Sequence, residues 1–228
     1  MAELFDKLRD NYEDEMCHAM RGFPGEHKFF IRVKAHKIEA LAARFRGAAS
    51  RVRLLDIGCG AGLVEQFLSI PNAEITGLDV SEPLLEKARE NVPGCLFTHF
   101  DGQSIDDEDN SYHLVFAINV FHHIAIKDRM QLLMEMLRVL RPDGLLTLFE
   151  HNTWHPITRF VVSRCSFDRD AVLLSRANAC SLLRAVGLHR IDSSYMIFLP
   201  WGIGINRVLE RVLGWLPLGA QYYATGVK

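Results

Sequence analysis

The stretch LLDIGCGAG occupies residues 54–62 and joins an apolar run to a turn with three glycines. The apolar residues at its start predict a strand over residues 51–57 that is buried within a parallel sheet. The glycines let the backbone turn sharply and let a bound molecule lie close against it, because glycine has no Cβ. The stretch therefore indicates a strand and a ligand-binding turn, and we predict a short helix after them, over residues 63–70.

The spacing of the glycines distinguishes between two kinds of cofactor-binding turn. The dinucleotide fingerprint is G-x-G-x-x-G, and its third glycine would fall at Leu63. The turn instead reads D-x-G-x-G-x-G, and a turn that receives an amino-acid moiety with an ammonium group can use the acid, which is Asp56. Asp79 ends the next predicted strand 23 residues later, near the place expected for a carboxylate that hydrogen-bonds ribose hydroxyls. The alternative for Asp79 is a helix cap, a position that Ser81 can also fill.

Strands and helices alternate along the rest of the chain. Further strands are predicted over residues 73–80, 96–100, 112–119, 144–150, 189–199 and 219–227, and helices over residues 81–91, 127–140, 173–186 and 206–213. The first 50 residues have a helical pattern with a break at residues 21–25. A segment of about 20 residues follows the fifth strand and is either functional or locally structured. This order predicts a mainly parallel sheet with helices on both faces and a ligand site at the carboxyl ends of the strands.

Five stretches together resemble the class I S-adenosylmethionine-dependent methyltransferases, and the resemblance covers the chain from about residue 52 onward. They are LLDIGCGAG (54–62), TGLDVS (76–81), FDGQSI (100–105), FAINVFHHI (116–124) and LRVLRPDGLLTLFEHN (137–152). The family usually has Pro-Gly-Gly where this chain has Pro142-Asp143-Gly144, a difference in a turn far from the cofactor. The closing LPLGAQYYATGVK also resembles a group of bacterial small-molecule methyltransferases.

The resemblance implies an α/β, Rossmann-like sheet of seven strands, mostly parallel, with helices on both faces. Residues 219–227 would form the antiparallel last strand, between the fifth and the sixth. It implies one methyltransferase domain over residues 1–228, with an N-terminal helical lid over residues 1–50 and an α/β core over residues 51–228. The expected reaction moves a methyl group from S-adenosyl-L-methionine to oxygen or nitrogen of a small-molecule acceptor by in-line displacement and releases S-adenosyl-L-homocysteine.

Seven residues are implied as contacts of that cofactor, each by its place in the family's motifs. They are Gly58 and Gly60 for the methionine part, Asp56 for the orientation of their loop and its ammonium contacts, Asp79 for the ribose, Asp101 and Gly102 for the adenine, and Asn119 for the sulfonium.

Histidines follow two predicted strands at the ligand edge of the sheet. A hydroxyl acceptor usually needs a base, and histidine has a suitable pKa near neutrality, whereas a neutral amine needs none. His122 follows the fourth strand and His151 the fifth, so both are candidate general bases. The alternatives are that the His122–His123 pair bonds the nearby backbone at a helix start, and that His151 and Asn152 brace a loop.

A metal site is not predicted. His151 and His155 have a spacing of four, but the preceding strand and Pro156 make a shared helix improbable, and no third ligand is evident. At the N-terminus, Tyr12 or Phe30 would contact cofactor or substrate, or simply pack. A further charged group follows the fifth strand and forms either a polar substrate edge or a surface salt-bridge network; it comprises Arg159, Arg164, Asp168, Arg169 and Asp170.

The composition of the chain bears on which partners and which cellular compartment are expected. The formal net charge of −2 gives no electrostatic reason to expect nucleic acid, and the arginines at 44, 46, 51 and 53 are interpreted as a solvated helix end. Five cysteines without a CxxC pair, together with a polar N-terminus, indicate reduced thiols in a cytoplasmic protein. No apolar run long enough for stable membrane insertion occurs. A nicotinamide-dependent enzyme and a cofactor-binding regulatory protein stay as alternatives, and the oligomeric state is not predicted.

Overall fold

The apolar segments between the turns form one sheet of seven strands. In the computed structural model, which describes residues 15, 18–21, 27–45, 47, 51–168 and 171–228, the strands are β1 Val52–Ile57, β2 Ala73–Asp79, β3 Leu96–His99, β4 Tyr112–Ile118, β5 Leu140–His151, β6 His189–Met196 and β7 Gln221–Val227. Their order is β3-β2-β1-β4-β5-β7-β6. The pairs from β3 to β5 are parallel, and β7 runs antiparallel to both β5 and β6. The predicted Rossmann-like sheet, with its antiparallel last strand, is confirmed.

Helices cover both faces of the sheet. They are α1 His27–Ala42, α2 Glu82–Asn91, α3 Ile126–Val139, α4 Pro156–Arg164, α5 Arg176–Ala185 and α6 Ile203–Leu213. Residues of α3 and α5 share one apolar core with the sheet, and residues of α1 share the other. The central strand β4 is buried on both sides, with Leu114 and Phe116 in one core and Val115 and Ala117 in the other. Such two-sided burial explains why this strand is apolar without alternation from Leu114 to Ile118.

The predicted helix over residues 63–70 is wrong. Only a single 3₁₀ turn, Glu65–Phe67, forms there, and Leu68 is already extended. The segment between the glycine turn and Pro71 is short for a helix, whose first turn is costly to form. The backbone N–H of Ser69 instead donates to the carboxylate of Glu39 on α1 (2.7 Å), which ties the chain to that helix.

The structure also differs from the prediction at the start of β5 and in the segment after it. β5 begins at Leu140, before the turn at residues 141–144. The turn interrupts the pairing of β5 with β4: Leu140 pairs with Tyr112, and the next paired residue of β5 is Leu145, opposite Leu114. The long segment after β5 contains α4, where the ring of His155 accepts a hydrogen bond from the backbone N–H of Thr158 and caps the helix. His151 and His155 therefore lie on different elements, as the argument against a metal site assumed.

Within the described residues, Cys59, Cys95, Cys165 and Cys180 form no disulfide, and Cys17 lies outside them. No helix of this part of the chain has the length and apolar content that crossing a membrane requires. Tyr12, Arg46, Arg169 and Asp170, which entered the sequence predictions, also lie outside the described residues.

Candidate active site

The carboxyl ends of the central strands enclose two cavities. One has a volume of about 280 Å³ and extends from Asp56 toward α1 and α4; we call it the apolar cavity, because Phe30, Val161 and Leu199 are among its lining residues. The other, of about 400 Å³, is lined by Asp79, Asp101, Asp128 and Asp168, and we call it the carboxylate cavity.

Five residues line both cavities and form their junction: Gly58, Gly60, Ile118, Asn119 and His151. The remaining predicted site residues each line one cavity, Asp56 the apolar cavity and Asp79, Asp101, Gly102 and His122 the carboxylate cavity. The structure therefore brings all nine predicted site residues together at one edge of the sheet.

The backbone of the glycine turn has a conformation that residues with side chains adopt only with strain. Gly58 has φ +77°, its N–H donates to the carbonyl of Leu78 (2.7 Å), and a Cβ there would overlap the side chain of Val120. Gly60 has φ +55°, but a Cβ there would meet nothing within 4 Å and would project into open space. Because Gly60 lines both cavities, this space is a cradle in which a ligand can approach the backbone.

Asp79 joins the turn to β2. Its Oδ2 accepts the N–H of Gly60 (2.8 Å) and its Oδ1 accepts the N–H of Ser81 (2.9 Å). Burial raises the pKa of Asp79, although the backbone N–H groups around it act in the opposite direction. A carboxylate has about four lone-pair positions, so two remain in principle for the hydroxyls of a ligand.

Asp101 uses its carboxylate within its own loop. It accepts the backbone N–H groups of Gln103 and Ser104 (2.8 Å each) and the hydroxyl of Ser104 (3.0 Å). These hydrogen bonds hold the pKa of Asp101 below its usual range, and the side chain is exposed. In this arrangement the carboxylate shapes the loop that brings Gly102 to the cavity.

Two ionisable residues that the sequence did not indicate, Glu65 and Lys34, lie near Asp56. Burial, and then the neighbouring carboxyl of Glu65, raise the pKa of Asp56 well above its usual range. Lys34 reaches the same cavity from α1; burial lowers its pKa to about 8, although Glu150 and Asp56 act in the opposite direction. Oδ1 of Asp56 is buried and has no hydrogen-bond partner among the described residues, so it is available to the ammonium group of a ligand.

His122 lies between two carboxylates. Its Nδ1 is 2.6 Å from Oε2 of Glu150, and its Nε2 is 3.3 Å from Oδ1 of Asp168. Burial by itself lowers the pKa of His122, but Glu150 and then Asp168 outweigh it and raise the pKa to about 9. At neutral pH the ring is therefore an imidazolium, which has no lone pair with which to accept a proton.

The chain after α4 brings Asp168 to this position. The backbone N–H of Val172 donates to the carbonyl of His122 (2.8 Å), and the guanidinium of Arg129 donates to the carbonyl of Val172 (2.7 Å). Asp168 is consequently buried, and the interpretation of a surface salt-bridge network is wrong for this residue. Arg159 and Arg164 of the same predicted group are exposed.

His151 differs from His122 in charge. Burial, and then the positive charge of His122, lower the pKa of His151 to about 4, so its ring is neutral near pH 7. Its Nδ1 is 3.4 Å from Nε2 of Gln221, which is itself 3.5 Å from Oδ1 of Asn119. Gln221 thus links the two predicted residues at the junction, and its own carbonyl oxygen has no hydrogen-bond partner among the described residues.

Asn152 braces a loop. Its amide donates to the carbonyls of Gly219 (2.7 Å) and Pro217 (3.0 Å), and the side chain is buried.

One cluster in the described part of the chain could hold a metal ion. His122, His123 and Asp168 offer ligand atoms that lie within 4.8 Å of one another. Phe30 and His27 on α1 line the apolar cavity.

Comparison with known proteins identifies the family. The family described as "Methyltransferase domain" matches residues 54–144, which contain the glycine turn, Asp79, Asp101 and Asn119. Residues 54–144 of this chain form a methyltransferase domain, and its sequence and fold are similar to those of S-adenosylmethionine-dependent methyltransferases. The methyl donor of this methyltransferase is S-adenosyl-L-methionine, and the nicotinamide alternative is set aside.

Relatives of this methyltransferase match it in part. The 27-O-demethylrifamycin SV methyltransferase of Amycolatopsis mediterranei is 33% identical over 103 residues, which is 42% of this chain and only 37% of that enzyme. The ubiquinone biosynthesis O-methyltransferase of Xanthomonas axonopodis pv. citri is 25% identical over 181 residues, 72% of this chain and 73% of that enzyme. A crystal structure of a possible histamine N-methyltransferase from Thermotoga maritima has the same fold over the full length of both chains, with a TM-score of 0.72 and 19% identity.

Proposed function

We propose that this methyltransferase methylates a hydroxyl group on a small, largely apolar molecule. The observation that carries the proposal is the junction of the two cavities at Gly58, Gly60, Asn119 and His151. A cofactor in the carboxylate cavity and an acceptor in the apolar cavity would meet there. Similarity to the 27-O-demethylrifamycin SV methyltransferase and to the ubiquinone biosynthesis O-methyltransferase supports oxygen as the acceptor atom.

The residues around the carboxylate cavity fit the cofactor. Asp79 would bind the ribose hydroxyls, and the loop of Asp101 and Gly102 would face the adenine. Across the junction, in the apolar cavity, the unpartnered Oδ1 of Asp56 suits the ammonium group. The open space over Gly60 would take the methionine part. When bound, the cofactor supplies a methyl group on a positively charged sulfur, which makes the methyl carbon electrophilic.

The apolar cavity would hold and orient the acceptor. Side chains from α1, α4 and the connection after β6 line it, and they include Phe30, Val161, Phe198 and Leu199. Burial of apolar surface contributes about 25 cal/mol per Å², so such a lining favours an aromatic or aliphatic body over a highly charged one. It also excludes water from the reacting atoms, and orientation of this kind is the main contribution of a protein to methyl transfer.

We expect the two histidines to have different roles in the reaction. We assign His151 as the residue that accepts the hydroxyl proton, because it is neutral and lies at the junction. With a pKa of about 4 it is a weak base, so it takes the proton as the new bond between oxygen and the methyl carbon makes the hydroxyl strongly acidic. His122 would act as a fixed cation between Glu150 and Asp168, which limits its use as a base. This revises the sequence hypothesis, in which either histidine was a candidate base.

The test is transfer of tritium from labelled S-adenosylmethionine to phenolic and quinol probes, with bulk tRNA as a competing acceptor. We expect label in the small molecules and none in tRNA. His151→Ala should lower turnover roughly 10²–10⁴-fold while the affinity for S-adenosylhomocysteine stays unchanged. His189→Ala, at an exposed position of β6, is the matched control and should be unaffected. Label in tRNA alone, or normal turnover of His151→Ala, would contradict the proposal.

The pH dependence distinguishes oxygen from nitrogen. For a hydroxyl acceptor, the rate should fall only as the pH drops toward the pKa of His151, about 4. For an amine acceptor, the rate should instead rise with pH through the pKa of the amine itself, because only the neutral amine is nucleophilic. A profile that follows the acceptor's own amine pKa would assign the enzyme to N-methylation.

A further inference from the structure

Helix α6 presents an apolar stripe to solvent. Ile205, Val208 and Val212 recur at helical spacing and are 49%, 60% and 61% exposed, and Trp215, in the turn two residues after the helix ends, is 69% exposed. The opposite side of the helix faces the protein, where Asn206 is buried and hydrogen-bonds the preceding loop. One side of the helix therefore packs against the rest of the protein, while an apolar side is exposed to solvent.

Along the chain, the stripe follows residues that line the apolar cavity. That cavity is lined by Ile157 on α4 and by residues 197–200, which lead directly into α6. The same segments of the chain also carry Trp154 and Phe160, just before and on α4, and Trp201 directly after Pro200; they are 74%, 51% and 56% exposed. We call the stripe and these side chains, together with Ile157, the apolar rim.

The rim contains every tryptophan of the chain. There are three, at positions 154, 201 and 215, and each has more than half of its surface exposed. Tryptophan is usually among the more buried residues of a soluble protein, whereas it is enriched where protein meets the membrane interface. This concentration of exposed tryptophan indicates a docking surface for an apolar partner.

The charges at the rim are of one sign. The exposed charged residues of α4 and α6 are Arg159, Arg164, Arg207 and Arg211, although the chain as a whole has a net charge of −2. The one acid on these two helices, Glu210, is largely buried and forms an ion pair with Lys37. A positive rim complements an anionic lipid surface, and it disfavours self-association, because a symmetric dimer would bring the arginines of both copies together.

We propose that the apolar rim docks this methyltransferase on the surface of an anionic lipid bilayer. The tryptophans and the α6 stripe enter the headgroup region while the arginines contact the anionic headgroups, as in interfacial amphipathic helices. Ile157 and residues 197–200, which line the apolar cavity, then lie on the membrane side, so the acceptor is a molecule held in the bilayer. This last point rests on the proposed function, whereas the docking itself does not.

The test is co-sedimentation of the full chain with vesicles of phosphatidylglycerol and phosphatidylcholine, compared with vesicles of phosphatidylcholine alone. We expect binding to the anionic vesicles that weakens with salt. The triple variant Val208→Ser, Val212→Ser, Trp215→Ser should reduce partitioning roughly 10-fold or more, because apolar burial in the interface is lost. Ile126→Ser, Met134→Ser on α3 is the matched control, since those residues are 68% and 59% exposed and lie outside the rim.

Tryptophan emission gives a second readout. On addition of anionic vesicles it should shift to shorter wavelength and be quenched by brominated lipids. Absence of vesicle binding, or equal loss in the triple variant and the α3 control, would overturn the proposal. So would sedimentation velocity that shows a wild-type dimer and a monomeric triple variant, because the rim would then cover a second copy. Vesicle binding is measured without methyl transfer, so it can fail while phenolic probes are still methylated, and the reverse also holds.

Discussion

Replacement of Gly60 by alanine should separate cofactor binding from folding. Gly60 has φ +55°, a left-handed backbone that costs a side-chain-bearing residue about 1–2 kcal/mol. No atom lies within 4 Å of the added Cβ, so we expect no steric cost to the fold beyond that strain. The methyl group would, however, occupy the cradle at the junction of the two cavities. We therefore expect affinity for S-adenosylhomocysteine to fall roughly 100-fold or more, which corresponds to about 3 kcal/mol.

Gly187→Ala is the matched control for this change. Gly187 follows α5, has φ +101°, and likewise has no atom within 4 Å of an added Cβ, but it lines neither cavity. Both variants should be less stable in urea unfolding, Gly60→Ala by about 1–2 kcal/mol and Gly187→Ala by more, because φ +101° lies outside the left-handed region that alanine can adopt. Only Gly60→Ala should lose calorimetric binding of S-adenosylhomocysteine. Equal binding by Gly60→Ala and wild type would refute the placement of the cofactor, and equal loss in the control would attribute the effect to general stability.

Three further changes test neighbouring parts of the account. Gly58→Ala should cost about 3 kcal/mol in urea unfolding, because overlap with Val120 adds to backbone strain. His122 has a folded pKa of about 9, above its ordinary 6.5, so its stabilising contribution is complete below pH 6.5 and is lost as the pH rises through 9. That loss is about 3 kcal/mol, and His122→Gln should flatten the unfolding free energy across this window. Prolonged dialysis against EDTA should leave turnover unchanged, because Glu150 and Asp168 already neutralise His122; loss that zinc restores would point to a metal at His122, His123 and Asp168.

Local sequence signals predicted the strands and the glycine turn well. β4 was expected over residues 112–119 and forms Tyr112–Ile118, because a strand buried on both faces carries a continuous apolar run, here residues 114–118. The position of β7 between β5 and β6 followed from the family resemblance. Asp56 and Asp79 were identified because their spacing from the glycines reflects contacts within one strand–turn–strand unit.

Other site residues depend on neighbours that are distant in the sequence. Lys34 on α1 and Gln221 on β7 reach the cavities only after the sheet has assembled, and no local pattern distinguishes them. A charged residue within an otherwise apolar strand is a usable signal, and Glu150 had it. Its pairing with His122, across 28 residues, decides which histidine is charged, and spacing alone does not specify that contact. The helix predicted over residues 63–70 failed for a similar reason, since Glu39 on α1 holds Ser69 in an extended segment.

The central claim is that cofactor and acceptor meet where the two cavities join. A crystal structure of the complex with S-adenosylhomocysteine tests it most directly. We predict the adenosine part in the carboxylate cavity beside Asp79, the amino-acid part over Gly60, and the sulfur at the junction near Asn119 and His151. A ligand that lies away from the glycine turn, or that fills the apolar cavity and leaves no room for an acceptor, would contradict the account.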